Sequence, residues 1–212
     1  MKTIKLPVLT VDLGGTKILT ALLLGGKILH KDYSITNAMG GVNTVVRRIN
    51  DSIARVLKHT ERDPSQIDSI SIAAAGAIDT KNGIVTLSPN LPDWRDVPLV
   101  KMITEKYPVK TCLVHDAGAA ALGEHHYGAG LGLKNVIFLT VSTGIGGGII
   151  INNKLYEGAA GAAGEIGHMT IDINGPKCPC GNTGCLEILA SGTAMTREAI
   201  RLINNGEKSC GR

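Results

Sequence analysis

Three short segments and one isolated carboxylate carry the chemistry in this 212-residue sequence. Cys178-Pro179-Cys180-Gly181-Asn182-Thr183-Gly184-Cys185 places three thiols within eight residues, with glycines that permit a tight wrap. Tetrahedral zinc takes four ligands. His168, upstream in Gly164-Glu165-Ile166-Gly167-His168, is the nearest candidate for the fourth. Reduced thiols without metal are the alternative. Of the other cysteines, Cys112 lies in an apolar run and reads as a small core residue, and Cys210 lies near the chain end.

Asp12-Leu13-Gly14-Gly15-Thr16-Lys17 sits between two apolar runs. Its glycines let backbone N–H groups approach phosphate oxygens, Thr16 adds a hydroxyl, and Asp12 at a strand end suits the water shell of Mg²⁺. No GxxxxGK[ST] spacing is present, so this is not a Walker loop. An ordinary glycine hairpin is the alternative. Ser142-Thr143-Gly144-Ile145-Gly146-Gly147-Gly148 is a second glycine-rich segment. Asp116, between a strand and an Ala-rich helix, is placed as a base for phosphoryl transfer. A plain helix cap would account for the same position.

The elements that hold these residues follow from periodicity. Val8 to Leu13, Lys17 to Leu24 and Lys27 to Ile35, divided by glycine pairs, read as three antiparallel strands. Val42, Val45, Val46, Ile49, Ile53, Val56 and Leu57 recur at helical spacing. Ile67 to Ala75 and Val109 to Val114 read as strands, and Ala117 to Tyr127 as a helix, so Asp116 falls at a strand's carboxyl end, where α/β folds place ligands. The pattern restarts at Asn135: strand Val136 to Val141, a glycine turn through Gly148, strand Gly148 to Asn152, then Asn153-Lys154. The stretches 11–27 and 141–154 share this order, a weak internal duplication that predicts two lobes with a phosphate loop in each. An N-terminal lobe over 1–134 and the first part of a C-terminal lobe over 135–212 are expected, the second copy stopping after a helix over 193–204.

Composition narrows the partners. Hydrophobic residues make up 43% of the chain, enough for a sizeable core, and 22 Lys and Arg against 18 Asp and Glu leave a charge of only +4. With one Phe, one Trp and four Tyr there is little surface for base stacking, so nucleic acid is not an expected partner. Ile18 to Leu24 is too short to span a bilayer and Met1 to Pro7 has no signal-peptide core, which predicts a cytoplasmic protein without membrane contact.

In order, DLGGTK (12–17), SPNLPDW (88–94), HDAGAAALGE (115–124), STGIGGGI (142–149), EGAAGAAGEIGH (157–168) and CPCGNTGCLE (178–187) resemble the family of repressors, open-reading-frame proteins and sugar kinases (the ROK family), nearest its glucokinase-like branch. The resemblance runs from Val8 to about Gly206. It implies an α/β fold of the actin-like ATPase (ribonuclease H-like) class with ATP and Mg²⁺ between two lobes, the second incomplete and bearing a zinc-binding insertion. Asp116 would be the catalytic base. Asn90, Glu165, His168 and Glu187 would hold sugar hydroxyls, with His115 beside them where the family usually has Asn. Asp12, Gly14, Gly15, Thr16, Lys17, Thr143 and Gly144 would contact nucleotide, and a structural Zn²⁺ would sit on His168, Cys178, Cys180 and Cys185. The implied reaction is phosphorylation of a hexose, glucose by default, by an enzyme that forms a homodimer at full length. N-acetylmannosamine and N-acetylglucosamine are alternative substrates. A non-catalytic sugar-binding protein or an inactive fragment is the alternative function. Ala74-Ala75-Gly76 stands where the family carries a Pro-Gly segment, and no counterpart of the family's C-terminal stretch is found. The repressor branch carries a DNA-binding segment ahead of DLGGTK, where this sequence has eleven residues.

Overall fold

The computed structural model describes residues 6–159 and 161–207, so Cys210 and Ala160 lie outside it. Strand alternation sets up the first sheet. In Val8–Leu13 (β1), Leu9, Val11 and Leu13 are buried and Asp12 is exposed, because successive side chains leave a strand on opposite faces. Lys17–Leu24 (β2) and Lys27–Ile35 (β3) follow through glycine turns, antiparallel as expected, with a bulge between Leu22 and Leu23. The helical repeat forms Gly41–His59 (α1), whose buried face is Val45, Val46, Ile49, Ser52, Ile53, Val56 and Leu57 and which packs on β2 and β3. Ser69–Ala74 (β4) then lies parallel to β1.

A small antiparallel sheet without a counterpart in the sequence reading comes next: Ala77–Asp79 (β5), Ile84–Leu87 (β6) and Arg95–Val97 (β7). After Leu99–Lys106 (α2), Lys110–His115 (β8) pairs in parallel with β4 and completes a five-stranded sheet of order β3-β2-β1-β4-β8. Cys112 is exposed rather than core. β8 is an edge strand, and alternation that buries Leu113 turns Cys112 to the other face.

Asp116–Tyr127 (α3) follows directly. Val136–Val141 (β9), Ile145–Ile151 (β10) and Lys154–Leu155 (β11) form an antiparallel sheet that repeats the opening hairpin pattern, then Leu186–Ala190 (α4) and Gly192–Asn204 (α5). β10 begins at Ile145, so Gly146 to Gly148 are strand, and the turn is confined to Ser142–Gly144, where the Ser142 amide bonds the Gly144 carbonyl at 2.8 Å. The next turn is Asn152-Asn153, both at positive φ (51° and 62°), one position earlier than expected. No helix among the described residues is long and apolar enough to cross a membrane.

The chain divides into two compact units, Met1–Ala119 and Ala120–Arg212, the division falling within α3. The end of α3 goes with the second unit because His125 Nε2 lies 2.8 Å from the Leu133 carbonyl and the Gly130 amide bonds the Glu124 carbonyl at 2.9 Å, tying the helix to the segment that leads into β9.

A polar seam joins α1 to the sheet. Asp32 on β3 accepts from Arg55 Nε and Nη2 at 3.0 and 2.8 Å and lies 2.7 Å from Ser52 Oγ. Ser52 Oγ is also 2.7 Å from Thr20 Oγ1, and both hydroxyl residues are fully buried. A carboxylate only accepts, so the single Ser52 proton goes to Asp32 and Thr20 donates to Ser52. The Arg55 guanidinium holds the Asp32 carboxyl below its ordinary range, against burial and with help from Ser52. Asp32→Ala is expected to cost about 1–3 kcal/mol, mostly from the Ser52 hydroxyl proton left without its acceptor, since the exposed Arg55 pair contributes little. Because the folded carboxyl titrates below its unfolded value of about 3.9, the charge-dependent part of this contribution is complete above that pH and lost as pH falls through the folded value. Urea unfolding of both proteins from pH 7 downward checks it; a gap that stays constant below about pH 4 would remove Asp32 as the source.

Candidate active site

In the N-terminal unit, parallel pairing brings two carboxylates to one sheet edge. Asp12 of β1 pairs with Ala73 of β4, and His115, the last residue of β8, pairs with Ala74. Asp12 and Asp116 therefore stand at the carboxyl ends of strands two apart, about 10 Å by strand spacing. The Asp12 carboxyl is raised above its ordinary range, first by desolvation and then by the negative charge of Asp116, with Lys17 opposing. Asp116 opens α3 and retains 45% side-chain exposure; its Oδ1 accepts the Ala117 amide at 2.7 Å and lies 3.4 Å from His115 Nδ1. The side chain thus caps the start of the helix while its carboxylate stays reachable.

The loop after Asp12 is held from a distance. The Gly14 amide bonds the Lys17 carbonyl at 3.1 Å, closing the turn. The fully buried Thr36, just past β3, donates its hydroxyl to the Gly14 carbonyl at 2.6 Å and its amide to the Thr16 carbonyl at 2.9 Å. Thr16 and Lys17 remain exposed. Asn90 is brought to this loop: a Cβ on Gly15 would meet the Asn90 Cβ at 2.8 Å and its carbonyl at 2.9 Å, so only glycine allows the approach. SPNLPDW is the β6–β7 connection, anchored by Leu91 and Trp94, both almost fully buried. Gly76, at φ 104°, lies against it; a Cβ there would come within 2.3 Å of the Leu87 carbonyl.

The C-terminal unit is built on the glycines of β10. A Cβ on Gly147 would meet Ile166 Cδ1 at 2.6 Å and the Gly164 carbonyl at 2.8 Å, and one on Gly167 would meet the Ile145 carbonyl at 2.1 Å. These glycines therefore serve backbone-to-backbone packing of 164–168 on β10; the turn itself is left to Ser142, Thr143 and Gly144. That turn is gripped by three groups. Glu187 Oε2 accepts the Ile145 amide at 2.8 Å, the Gly192 amide donates to the Ser142 carbonyl at 2.8 Å, and the Thr193 hydroxyl donates to the Thr143 carbonyl at 2.8 Å.

His168, Cys178, Cys180 and Cys185 converge, their ligand atoms all within 4.8 Å of one another. Cys178 Sγ is 3.8 Å from His168 Nδ1 and Cys180 Sγ is 3.6 Å from Cys185 Sγ, separations that suit the edges of a tetrahedron with ligand bonds of about 2.0–2.3 Å. Burial and the neighbouring thiols push the Cys185 thiol up to about 12, while the Asn182 amide, against some desolvation, lowers that of Cys180. A divalent cation stabilises thiolates and removes that conflict. The opposite edge of the imidazole, Nε2, faces Glu165 Oε2 at 3.9 Å. The Leu186 amide bonds the Met169 carbonyl at 2.9 Å, so the cluster runs straight into α4 and Glu187.

Within each unit, then, the expected residues gather: Asp12, Gly14, Gly15, Thr16, Lys17, Asn90, His115 and Asp116 in the first, Thr143, Gly144, Glu165, His168, Glu187 and the three cysteines in the second. Thr36, Gly192 and Thr193 went unread, because their partners lie 22, 50 and 50 residues away, or beyond any motif window.

Residues 8–209 match the ROK family. A glucokinase of Thermotoga maritima is 42% identical over 194 residues, 91% of this chain and 60% of that protein. A xylose repressor of Bacillus subtilis is 45% identical over 147 residues, 69% of this chain and 38% of the repressor. The crystal structure of a ROK family glucokinase from Streptomyces griseus in complex with glucose and AMPPNP superposes with a TM-score of 0.80 at 37% identity, covering 94% of this chain and 62% of that one. The chain spans about 60% of the length of the glucokinases it matches. The actin-like ATPase fold class is that of these structural neighbours. With sequence, fold and the ordered motifs in agreement over nearly its whole length, the chain belongs to the ROK family.

Proposed function

We propose that this chain carries the sugar- and phosphate-contacting residues of an ATP-dependent hexose kinase that transfers the γ-phosphoryl group to a sugar hydroxyl, with glucose as substrate. The observation that carries the reading is the Asp12–Asp116 pair at one edge of a parallel sheet, beside a glycine loop with exposed Thr16 and Lys17. Glucose is favoured by the names of the relatives and by the glucose in the Streptomyces griseus structure.

Asp116 takes the proton of the attacking hydroxyl. Its Oδ1 already accepts the Ala117 amide, which assigns the proton to Oδ2. A general base of this kind contributes about 10²–10⁴ in rate. Asn90 and His115 in the first unit, and Glu165, His168 and Glu187 in the second, are the groups offered to sugar hydroxyls. Glu187 has one oxygen on the Ile145 amide, and a carboxylate has acceptor capacity left for a hydroxyl on the other. Asp12 fits a divalent cation, because positive charge offsets the desolvation and the Asp116 charge that together raise its carboxyl. Mg²⁺ held there supplies charge neutralisation for the transferring group. The Cys₃His set fits Zn²⁺. Bound through Nδ1, it would fix the His168 ring and leave Nε2, beside Glu165, for a sugar hydroxyl.

A sugar-responsive, non-catalytic role is the second reading, favoured by the 45% identity to the xylose repressor. ADP release with ATP, Mg²⁺ and a hexose panel separates the two. Asp116→Asn is expected to lower kcat by about 10²–10⁴ while the sugar Kd moves only a few-fold; full turnover in that variant would remove Asp116 as the base. Cys180→Ser is expected to lose stoichiometric zinc by elemental analysis and to lose amide protection over 157–187. A folded variant that keeps one zinc per chain would show that the metal site lies elsewhere.

A further inference from the structure

The two glycine loops share a device that neither motif encodes. Each keeps its carbonyl oxygens engaged by donors from outside the loop. In the first, the Thr36 hydroxyl holds the Gly14 carbonyl at 2.6 Å. In the second, the Thr193 hydroxyl holds the Thr143 carbonyl at 2.8 Å and the Gly192 amide holds the Ser142 carbonyl at 2.8 Å. A trans peptide is planar, so fixing a carbonyl on one side aims the next residue's N–H to the other. Thr36 thereby orients the Gly15 amide, Gly192 the Thr143 amide, and Thr193 the Gly144 amide.

Orientation matters because phosphate oxygens are anionic acceptors. A loop whose peptides flip presents carbonyl oxygens that repel them, and glycine-rich backbone flips easily. The two threonines reach the same end from unrelated places, one buried after β3, the other exposed on the first turn of α5. Neither needs to touch the nucleotide.

We infer that Thr36 and Thr193 are positioning residues, each within its own unit: Thr36 locks the Gly14-Gly15 peptide, and Thr193 the Thr143-Gly144 peptide, with the N–H turned to receive a phosphate group of a nucleotide. This rests on the kinase reading and deepens it. The test is titration of the whole chain with Mg²⁺-AMPPNP by calorimetry, for the unaltered protein, Thr36→Val, Thr193→Val and the two serine variants. Each valine variant is expected to weaken nucleotide Kd about fivefold to tenfold with hexose Kd unchanged, and each serine variant, which keeps the hydroxyl, to restore most of the loss. Hydrogen exchange at Gly15 and Gly144 is expected to quicken in the corresponding valine variant. Thr36→Val also leaves a buried carbonyl unpaired and lowers Tm whatever its role. Thr193→Val is the variant free of that effect, and loss of hexose affinity in step with nucleotide affinity would mark mere destabilisation and overturn the inference. Nucleotide binding by the unaltered chain that both valine variants leave unchanged overturns this inference alone. No nucleotide binding by the unaltered chain overturns the kinase reading and this inference with it.

Discussion

Two negative charges held at one edge of a sheet are the constraint on which the N-terminal unit is organised. Parallel pairing of β1 with β4 and of β4 with β8 leaves Asp12 and Asp116 no choice of side or end. Desolvation, and after it the negative charge of Asp116, raises the Asp12 carboxyl, and Lys17 is set against them. A fold selected only for stability has no use for such a pair. Perturbed carboxylates of this kind gather at functional sites.

In the C-terminal unit the governing constraint is steric. Gly147 against Gly164 and Gly167 against Ile145 bring backbone onto backbone, and this close fit sets the stretch that ends in His168 down on β10. His168 then looks two ways, one nitrogen to three sulfurs and the other to Glu165. A chain of short links runs from the sulfur cluster through Leu186 to Glu187 and on to the Ser142–Gly144 turn.

Much of this was legible in the residues. Alternation in 8–13 and helical spacing in 42–57 report burial directly, and the strands and helix formed where those patterns lay. The Cys/His cluster was legible because its ligands are close in sequence. The small sheet β5-β6-β7 was not, since its strands are three and four residues long and carry no clear period. Gly146 to Gly148 misread as a turn because glycine marks both turns and close packing, and only the partner strand distinguishes them. Cys112 misread as core because its neighbours are apolar, while burial was decided by an edge position in a sheet whose order the sequence does not state.

The seam of Thr20, Ser52 and Asp32 has a consequence for uniqueness more than for stability. β3 is an edge strand with a bulge in its pairing to β2, and much of its apolar surface, Leu29, Tyr33 and Ile35 among it, is exposed. Apolar packing alone would therefore tolerate a slide of β3 along its neighbour. A slide by one residue would carry the Asp32 carboxylate to the other face and leave the enclosed Ser52 hydroxyl proton without its acceptor, which is costlier than any gain from shifted methyl groups. Three polar side chains thus act as an alignment key, admitting one pairing of the edge strand and rejecting its neighbours.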